Sequence, residues 1–312
     1  MNFSVVIPVF NEQDNLESLY GRLTKVMQGL ESTYEIIFID DGSTDNSPDI
    51  IQKLHRKDSH VKLIIFTRNF GQHPATMAGF SSAHGEVVIT LDADLQNPPE
   101  EIPKLIRKLN DGYEIVFGIP QNRKHSIFRR TGSAFTKWIL RKALPVGSAN
   151  LSCFRALRLN VVAELKLLDE KSKFIDGLIC WMGFRVGTVK VKHNKRHAGK
   201  TKYSLFRLLS LWFDMVVSFT DIPLKIAAFG GLILGISGFL LAIFYISRYF
   251  LYGFSVPGFA TIVILITVFS GFQLLCLGIL GEYVGRMNRE LKNKPEYIIR
   301  DTLGIEEQSN ER

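Results

Sequence analysis

The sequence predicts an α/β protein: a mostly parallel sheet covered by helices on both faces, followed by two membrane-spanning helices. Three observations carry this expectation. The first 120 of the 312 residues alternate near-continuous apolar runs with amphipathic ones. Two long stretches near the C-terminus carry no charge at all. Charge is also unevenly spread, with 10 basic and 17 acidic side chains in residues 1–119 but 20 and 4 in residues 120–210, within a total of +8.

Five apolar runs read as strands: Phe3 to Phe10, Tyr34 to Ile39, Val61 to Thr67, Glu86 to Leu91 and Tyr113 to Gly118. They are rich in β-branched residues and too uniformly apolar for a sheet with one wet face. Between them, Leu16, Leu19, Leu23, Met27 and Leu30 recur at helical spacing, as do Ile50, Ile51 and Leu54, and then Ile102, Leu105, Ile106 and Leu109. Strand and helix in alternation imply crossover connections, hence parallel pairing. After Gly118 a basic loop, Gln121-Asn-Arg-Lys-His-Ser-Ile-Phe-Arg-Arg, leads into a helical stretch at Phe128 to Ala143. Helical patterns at Asn160 to Leu168 and Lys173 to Met182 precede an alternating strand at Arg185 to Lys192. Residues 1–202 are therefore read as one catalytic-type domain. Residues 203–224, aromatic and amphipathic from Tyr203 onward, suit a helix lying in a membrane interface.

Ile226 to Ser247 is 22 residues without a charge, and Tyr249 to Gly281 is 33 more. About 20 apolar residues cross a bilayer core. With Phe254-Ser-Val-Pro-Gly breaking the second run, the spans fall at 226–247 and 259–280 within a hairpin covering 225–281. Residues 282–312 are expected to be a C-terminal tail. Basic residues precede the first span, and Arg286, Arg289, Lys292 and Lys294 follow the second, against Arg248 alone in the connecting loop. That asymmetry places both termini in the cytoplasm. Met1 to Pro8 has no basic n-region or cleavage site, so it reads as a first strand and not as a signal peptide. Cys153, Cys180 and Cys276 show no metal spacing and no disulfide framework, in keeping with a reducing compartment.

Chemistry concentrates at the strand ends, where open α/β sheets bind ligands. Asp92-Ala-Asp94 follows the fourth strand, and a period of two would put both carboxylates on one face. Two hard oxygen donors suit Mg²⁺ or Mn²⁺, with Gln96 able to add a neutral oxygen. A lone Asp-x-Asp is a weak signal; its position after a buried strand and before Pro98-Pro99 strengthens it. Strand one ends at Pro8-Val-Phe-Asn11-Glu12. Strand two ends at Asp40-Asp41-Gly-Ser-Thr-Asp45, whose carboxylates can accept from a base N–H or ribose hydroxyls, while Asp45 suits a helix cap. Strand three ends at Arg68-Asn-Phe-Gly-Gln-His73, where Arg68 is either a diphosphate clamp or a partner for the acids.

Val5-Val-Ile-Pro-Val-Phe-Asn-Glu, Ile39-Asp-Asp-Gly-Ser-Thr-Asp and Leu91-Asp-Ala-Asp-Leu-Gln-Asn-Pro-Pro-Glu together resemble the GT-A glycosyltransferases of family 2. More narrowly they are similar to the polyprenyl-phosphate glycosyltransferases. The likeness extends through Gly199-Lys-Thr-Lys-Tyr-Ser and Leu280-Gly-Glu-Tyr-Val-Gly-Arg and covers about residues 3–300. Gln72-His73 and the Asp-Leu-Gln-Asn-Pro-Pro run lean toward the aminoarabinose transferases. Val256-Pro-Gly-Phe-Ala and the Phe174 to Trp181 stretch are closer to the bactoprenol glucosyltransferases. One departure stands out: where relatives carry an acidic or Gly-rich turn before the Arg of the pocket, this chain has Asn150-Leu-Ser-Cys-Phe-Arg155, so the resemblance does not carry over the sugar-pocket contacts there.

The resemblance implies a Rossmann-like GT-A nucleotide-sugar domain. Pro8, Asn11, Glu12, Asp40, Asp41, Arg68 and Ala93 would hold the nucleotide. Asp92, Asp94 and Gln96 would hold the metal, with Asp92, Asp94 and Arg129 as catalytic positions. Arg123, Arg129, Arg130, Arg196, Lys200 and Lys202 are candidates for an acceptor phosphate, by charge-assisted hydrogen bonds. The expected partners are a nucleotide sugar (UDP-linked), a polyprenyl phosphate and membrane lipid. A homo-oligomer, possibly a tetramer as in relatives, at the bacterial plasma membrane completes the expectation. The sugar is left between glucose and a 4-amino-4-deoxy-arabinose derivative. Two rival classes fit less well. A processive polysaccharide synthase would bring a Gln-x-x-Arg-Trp motif and more spans, and a non-catalytic scaffold would not need the full acid set. The basic block, taken alone, suits nucleic acid, but two spans beside it favour a lipid-facing role, so no nucleic-acid partner is expected.

Overall fold

The computed structural model describes residues 1–121, 152–167, 175, 178–179, 182–194, 222–252, 258–291 and 295–305. Strand β1 (Phe3–Val9) is followed by α1 (Gln13–Gln28), β2 (Tyr34–Asp40), α2 (Ser47–Lys57), β3 (Val61–Phe66), α3 (Gln72–Ser81) and β4 (Val87–Thr90). A short 3₁₀ turn (Pro99–Glu101) opens α4 (Ile102–Asn110), then come β5 (Ile115–Pro120), β6 (Arg155–Arg158), α5 (Leu159–Leu167) and β7 (Val186–Val191). Two long helices, α6 (Ile222–Tyr252) and α7 (Phe259–Leu291), precede β8 (Ile299–Leu303).

Among the described residues the sheet has eight strands in the order β7-β5-β6-β4-β1-β2-β3-β8. β1 pairs in parallel with both β2 and β4, β2 with β3, and β5 with β7. β6 runs antiparallel to β4 and β5, and β8 antiparallel to β3. Successive residues of the central strands serve opposite cores. Ile36 and Phe38 join α1, α2 and α4 on one face, whereas Ile37 and Ile39 join α3 and α5 on the other. Leu16, Leu19, Leu23 and Met27 are fully buried, so the helical spacing that predicted α1 is the face it packs. Each such side chain contributes about 1.5–3 kcal/mol.

β6 and β8 are absent from the sequence reading. β6 is four residues long with an arginine at each end, and β8, Ile-Arg-Asp-Thr-Leu, is charged. β8 is an edge strand, where charge discourages further pairing, whereas β6 is paired on both sides; in both, charge hides the strand from a hydropathy pattern. The expected C-terminal tail is thus corrected twice. α7 continues to Leu291, and the chain then returns as β8 to cover the β3 edge. There Tyr297 stacks on Phe66 with ring centroids 5.0 Å apart, and Thr67 N–H donates to the Ile298 carbonyl.

The chain divides into two units, Met1–Lys202 with Pro295–Arg312, and Tyr203–Lys294. The second contains two helices long and apolar enough to cross a membrane, with windows at Ala227–Arg248 and Val268–Gly285. A pair of soluble core helices would be mostly buried; here only 6% and 0% of those windows are. Phe229, Phe250 and Leu274 are 69%, 80% and 68% exposed, which water tolerates poorly and lipid readily. The helices touch where Gly230 and Gly231 face the Phe272 ring and Gly238 faces Phe269, small residues letting large ones seat. Residues 203–221 of the expected interface helix lie outside the described residues.

At the amino ends of the parallel strands, Glu35 ties the first unit together. Its buried carboxylate accepts from Ser4 Oγ on β1 and from the His84 amide before β4, and pairs with Lys62 Nζ on β3 at 2.6 Å. Burial raises its pKa, but Lys62, Ser4 and His84 outweigh burial and hold it below the ordinary value. A depressed carboxyl stabilises the fold fully above the unfolded value, 4.5, and loses that contribution as pH falls through the folded value. Glu35→Gln is therefore expected to melt below the wild type at pH 7, with the gap closing below about pH 4.5. Melting curves of both proteins in detergent across that range check this.

Candidate active site

Strand order reverses at β1. From it the chain steps to β2 and β3 on one side and then back to β4 on the other, so the carboxyl ends of β1 and β4 flank a topological switch point. Pro8 from β1 and Thr90, Leu91 and Asp92 from the end of β4 meet there. Gln72, His73 and Thr76 from α3 complete the rim with Cys153 and Arg155 from the start of β6. The cavity among them is water-sized, about 10 Å³, and so forms the floor of a cleft; it is too small for a sugar.

Asp92 and Asp94 sit in a turn after β4. They are near enough for the Asp94 charge to act on Asp92. Directly after them Leu95 is left-handed, at φ 58°. A non-glycine residue there costs on the order of 1–3 kcal/mol. Its side chain, like those of Ala93 and Ile102, is buried in the core beneath. Gln96 N–H donates to Asp94 Oδ1 at 3.1 Å. From the far side, the Asn194 amide donates to the Gln96 carbonyl at 2.8 Å, and His193 Nδ1 meets Asn97 Oδ1 at 3.2 Å. The acid turn is thus held by the chain leaving β7, two residues before Arg196 in sequence.

Among the described residues, the floor combines the Asp92 and Asp94 carboxylates with the buried Arg155. Asp92 is pushed up to about 6 by burial and then by the Asp94 charge; Arg155 and a hydrogen bond from Gln72 pull the other way. Gln72 Nε2 lies 2.6 Å from Asp92 Oδ1. Arg155 is 3% exposed on β6, between Thr90 of β4 and Phe117 of β5. Burial, and then the Arg155 charge, lower His73 to about 4, so its ring is neutral at physiological pH. Burial and the Asp92 charge raise the Cys153 thiol to about 11, which leaves it inert as a nucleophile.

The nucleotide-type residues named from sequence come together, and several already hold one another. Asn11, at φ 56°, donates its amide to Ser43 Oγ and accepts from the Thr44 amide on Oδ1. Glu12 N–H donates to Ser47 Oγ, and Asp45, one residue before the Asn46 N-cap of α2, accepts from the Ser47 and Gln13 amides. Asp40 is buried and accepts from the Ser43 amide. Asp41 accepts from the Phe70 and Gly71 amides at 2.7 and 2.9 Å. Arg68 lies exposed, its guanidinium 4.6 Å above the Phe70 ring, so it touches an aromatic face and not the acids. Ala93 is buried. Arg123, Arg129, Arg130, Arg196, Lys200 and Lys202 lie outside the described residues. The sequence reading assigned no role to Gln72, His73 or Thr76, marked only by the Phe-Gly-Gln-His string; it met Arg155 as the pocket arginine of the resemblance, without its burial beside the acids.

The residues present fit a divalent cation. Asp92 and Asp94 are two hard donors whose mutual repulsion in a poorly hydrated floor a cation would relieve. Among the described residues no group of three or more His, Cys, Asp or Glu forms a closed metal cage. That suits an ion which takes one or two carboxylates and completes its shell with substrate phosphates.

A mostly parallel sheet with a carboxylate pair at its switch point is the architecture of an enzyme handling nucleotide-linked substrates. Residues 4–163 match the family model described as Glycosyl transferase family 2. The chain is 38% identical over 306 residues to the undecaprenyl-phosphate 4-deoxy-4-formamido-L-arabinose transferase of Proteus mirabilis, covering 97% of this chain and 94% of that protein. It is 36% identical over 311 residues to the transferase of the same name from Yersinia pestis, covering 98% and 95%. Among solved structures, glucosyl-3-phosphoglycerate synthase from Mycobacterium tuberculosis with Mn²⁺ and UDP-glucose is 19% identical. It covers 69% of this chain and 77% of that one, at a TM-score of 0.48. The chain belongs to glycosyl transferase family 2.

Gly42 shows how tightly the rim is assembled. Its φ is +67°, and a Cβ there would stand 2.4 Å from the Arg68 carbonyl carbon and 2.7 Å from the Asn69 nitrogen. Gly42→Ala is expected to lower stability by about 1–3 kcal/mol and to weaken nucleotide binding, because the loop that must give way leads to Gln72. Melting temperature and UDP titration read the two effects.

Proposed function

We propose that this glycosyltransferase moves 4-deoxy-4-formamido-L-arabinose from its UDP-linked donor to undecaprenyl phosphate, with inversion at the anomeric carbon. The observation that carries the reading is the Asp92–Asp94 pair, gathered with Gln72 and Arg155 at the β1/β4 switch point. The near full-length likeness to two transferases of that name supports the sugar and the acceptor over glucose. Two long, exposed apolar helices support a membrane-borne acceptor.

The chemistry asks little of a general base. A lipid phosphate is already anionic at neutral pH, so the protein's tasks are to align its oxygen behind the anomeric carbon and to stabilise the departing diphosphate. Asp92 and Asp94 would hold Mg²⁺ or Mn²⁺, which supplies Lewis-acid neutralisation of the leaving diphosphate when bound. The β1 and β2 loop ends, from Pro8 to Glu12 and from Asp40 to Asp45, provide a prearranged ledge for the nucleoside. The ledge is stitched by its own hydrogen bonds and needs little reordering on binding. Neutral His73 at the floor suits contact with an uncharged sugar substituent. The basic stretch from Arg196 to Lys202, entered from the acid turn through Asn194, is the acceptor-phosphate segment in this reading, together with Arg123, Arg129 and Arg130.

Incubation with UDP-linked 4-deoxy-4-formamido-L-arabinose and, separately, UDP-glucose, each with a short polyprenyl phosphate, tests the assignment. Mass spectrometry is expected to find the formamido-pentosyl lipid, and NMR an inverted anomer. A glucosyl lipid alone would reassign the sugar, and a retained anomer would exclude single displacement. Asp92→Asn and Asp94→Asn are each expected to lower kcat/KM by about 10²-fold or more, roughly 2.7 kcal/mol of transition-state stabilisation, with the fold intact by melting curve.

A further inference from the structure

Gln72 begins α3, and the strand-end pattern gave it no task. Its amide nitrogen lies 2.6 Å from Asp92 Oδ1. An ionised carboxylate only accepts, so the group facing it must be the NH₂ end of the amide. An amide donor differs in kind from the other partner on this floor. Arg155 offsets Asp92 by charge, whereas Gln72 adds no charge and contributes direction alone. The bond to Gln72 fixes where Oδ1 sits, and with it the plane of the carboxylate.

The support behind Gln72 is built accordingly. Both oxygens of buried Asp41 accept from the amides of Phe70 and Gly71, the two residues before it. Phe70 meets Phe66 edge-on at 5.7 Å, and Phe66 is stacked from its other side by Tyr297 of the returning C-terminal segment. Gly42 leaves room for the backbone of Arg68 and Asn69 to pass against the β2 loop. Thr76 Oγ1, one turn on, donates to the Gln72 carbonyl. These contacts fix the backbone on either side of Gln72, so its exposed side chain reaches Asp92 from an anchored start of α3.

We propose that Gln72 is the positioning residue of the acidic pair, fixing the orientation in which the Asp92 carboxylate meets the divalent cation by a neutral hydrogen bond to Oδ1. This rests on the reading of Asp92 and Asp94 as metal ligands. Outer partners of metal-binding carboxylates are generally worth 10- to 100-fold in metal affinity. The variant is Gln72→Met, which keeps length and removes the donor. Full-length protein in detergent with saturating UDP is titrated with Mn²⁺, and free Mn²⁺ is followed by its EPR signal.

Wild-type protein is expected to bind Mn²⁺, and Gln72→Met to bind it about 10- to 100-fold more weakly, with an unchanged melting temperature. Excess Mn²⁺ is expected to restore kcat in Gln72→Met but not in Asp92→Asn. Wild-type affinity in Gln72→Met would overturn the proposal. So would a lowered melting temperature with an equal loss of metal-free UDP binding, which would make Gln72 a structural residue. Wild-type protein that bound UDP but no Mn²⁺ would overturn the metal reading itself.

Discussion

Two carboxylates one residue apart repel each other, and the repulsion grows as water is withdrawn. The floor of this cleft imposes that condition on Asp92 and Asp94, and much of the surrounding structure answers it. A left-handed Leu95 bends the chain directly after the acids, and its buried side chain anchors the strain. Arg155 supplies a buried positive charge from β6, and Gln72 supplies a neutral donor from α3. The remaining imbalance is negative, and a cation bound with a diphosphate would use it. A fully neutralised floor would be more stable and less useful.

The loops around the floor follow the same logic of prior arrangement. Asn11, Ser43, Thr44, Asp45 and Ser47 bond across the β1 and β2 ends, and Asp41 reaches over to the β3 loop. Residues that the sequence offers as nucleotide contacts are therefore first of all contacts with each other. This leaves backbone edges and the remaining lone pairs to face a nucleoside, on a surface whose ordering cost has already been met during folding. At the opposite end of the same strands, Glu35 joins Ser4, Lys62 and the His84 amide, keeping β1, β2 and β3 in register from below.

Much of this was legible in the sequence, for physical reasons that can be named. A strand buried on both faces must be apolar throughout, so the runs at β1 to β5 stand out. A helix covering such a sheet must bury one stripe, so α1, α2 and α4 do too. Asp92 and Asp94 were legible because an apolar run ending in two acids and two prolines has few other uses. β6 and β8 were not, because their identity as strands comes from antiparallel partners distant in sequence and not from their own short, charged stretches. The contact of Gln72 and the burial of Arg155 were not legible, for a related reason. Their importance lies in a contact across 20 residues in one case, and in burial beside the acids in the other. The left-handed backbone at Leu95 was not legible either, since a leucine carries no mark of it.

The central claim, that the acidic pair grips a cation and so assists departure of a nucleotide, is tested most directly by anomalous diffraction from crystals grown with UDP and Mn²⁺. The account predicts one manganese peak about 2.0–2.2 Å from carboxylate oxygens of both Asp92 and Asp94, shared with the diphosphate. UDP bound with its phosphates elsewhere in the sheet, or a manganese peak touching neither aspartate, would contradict it.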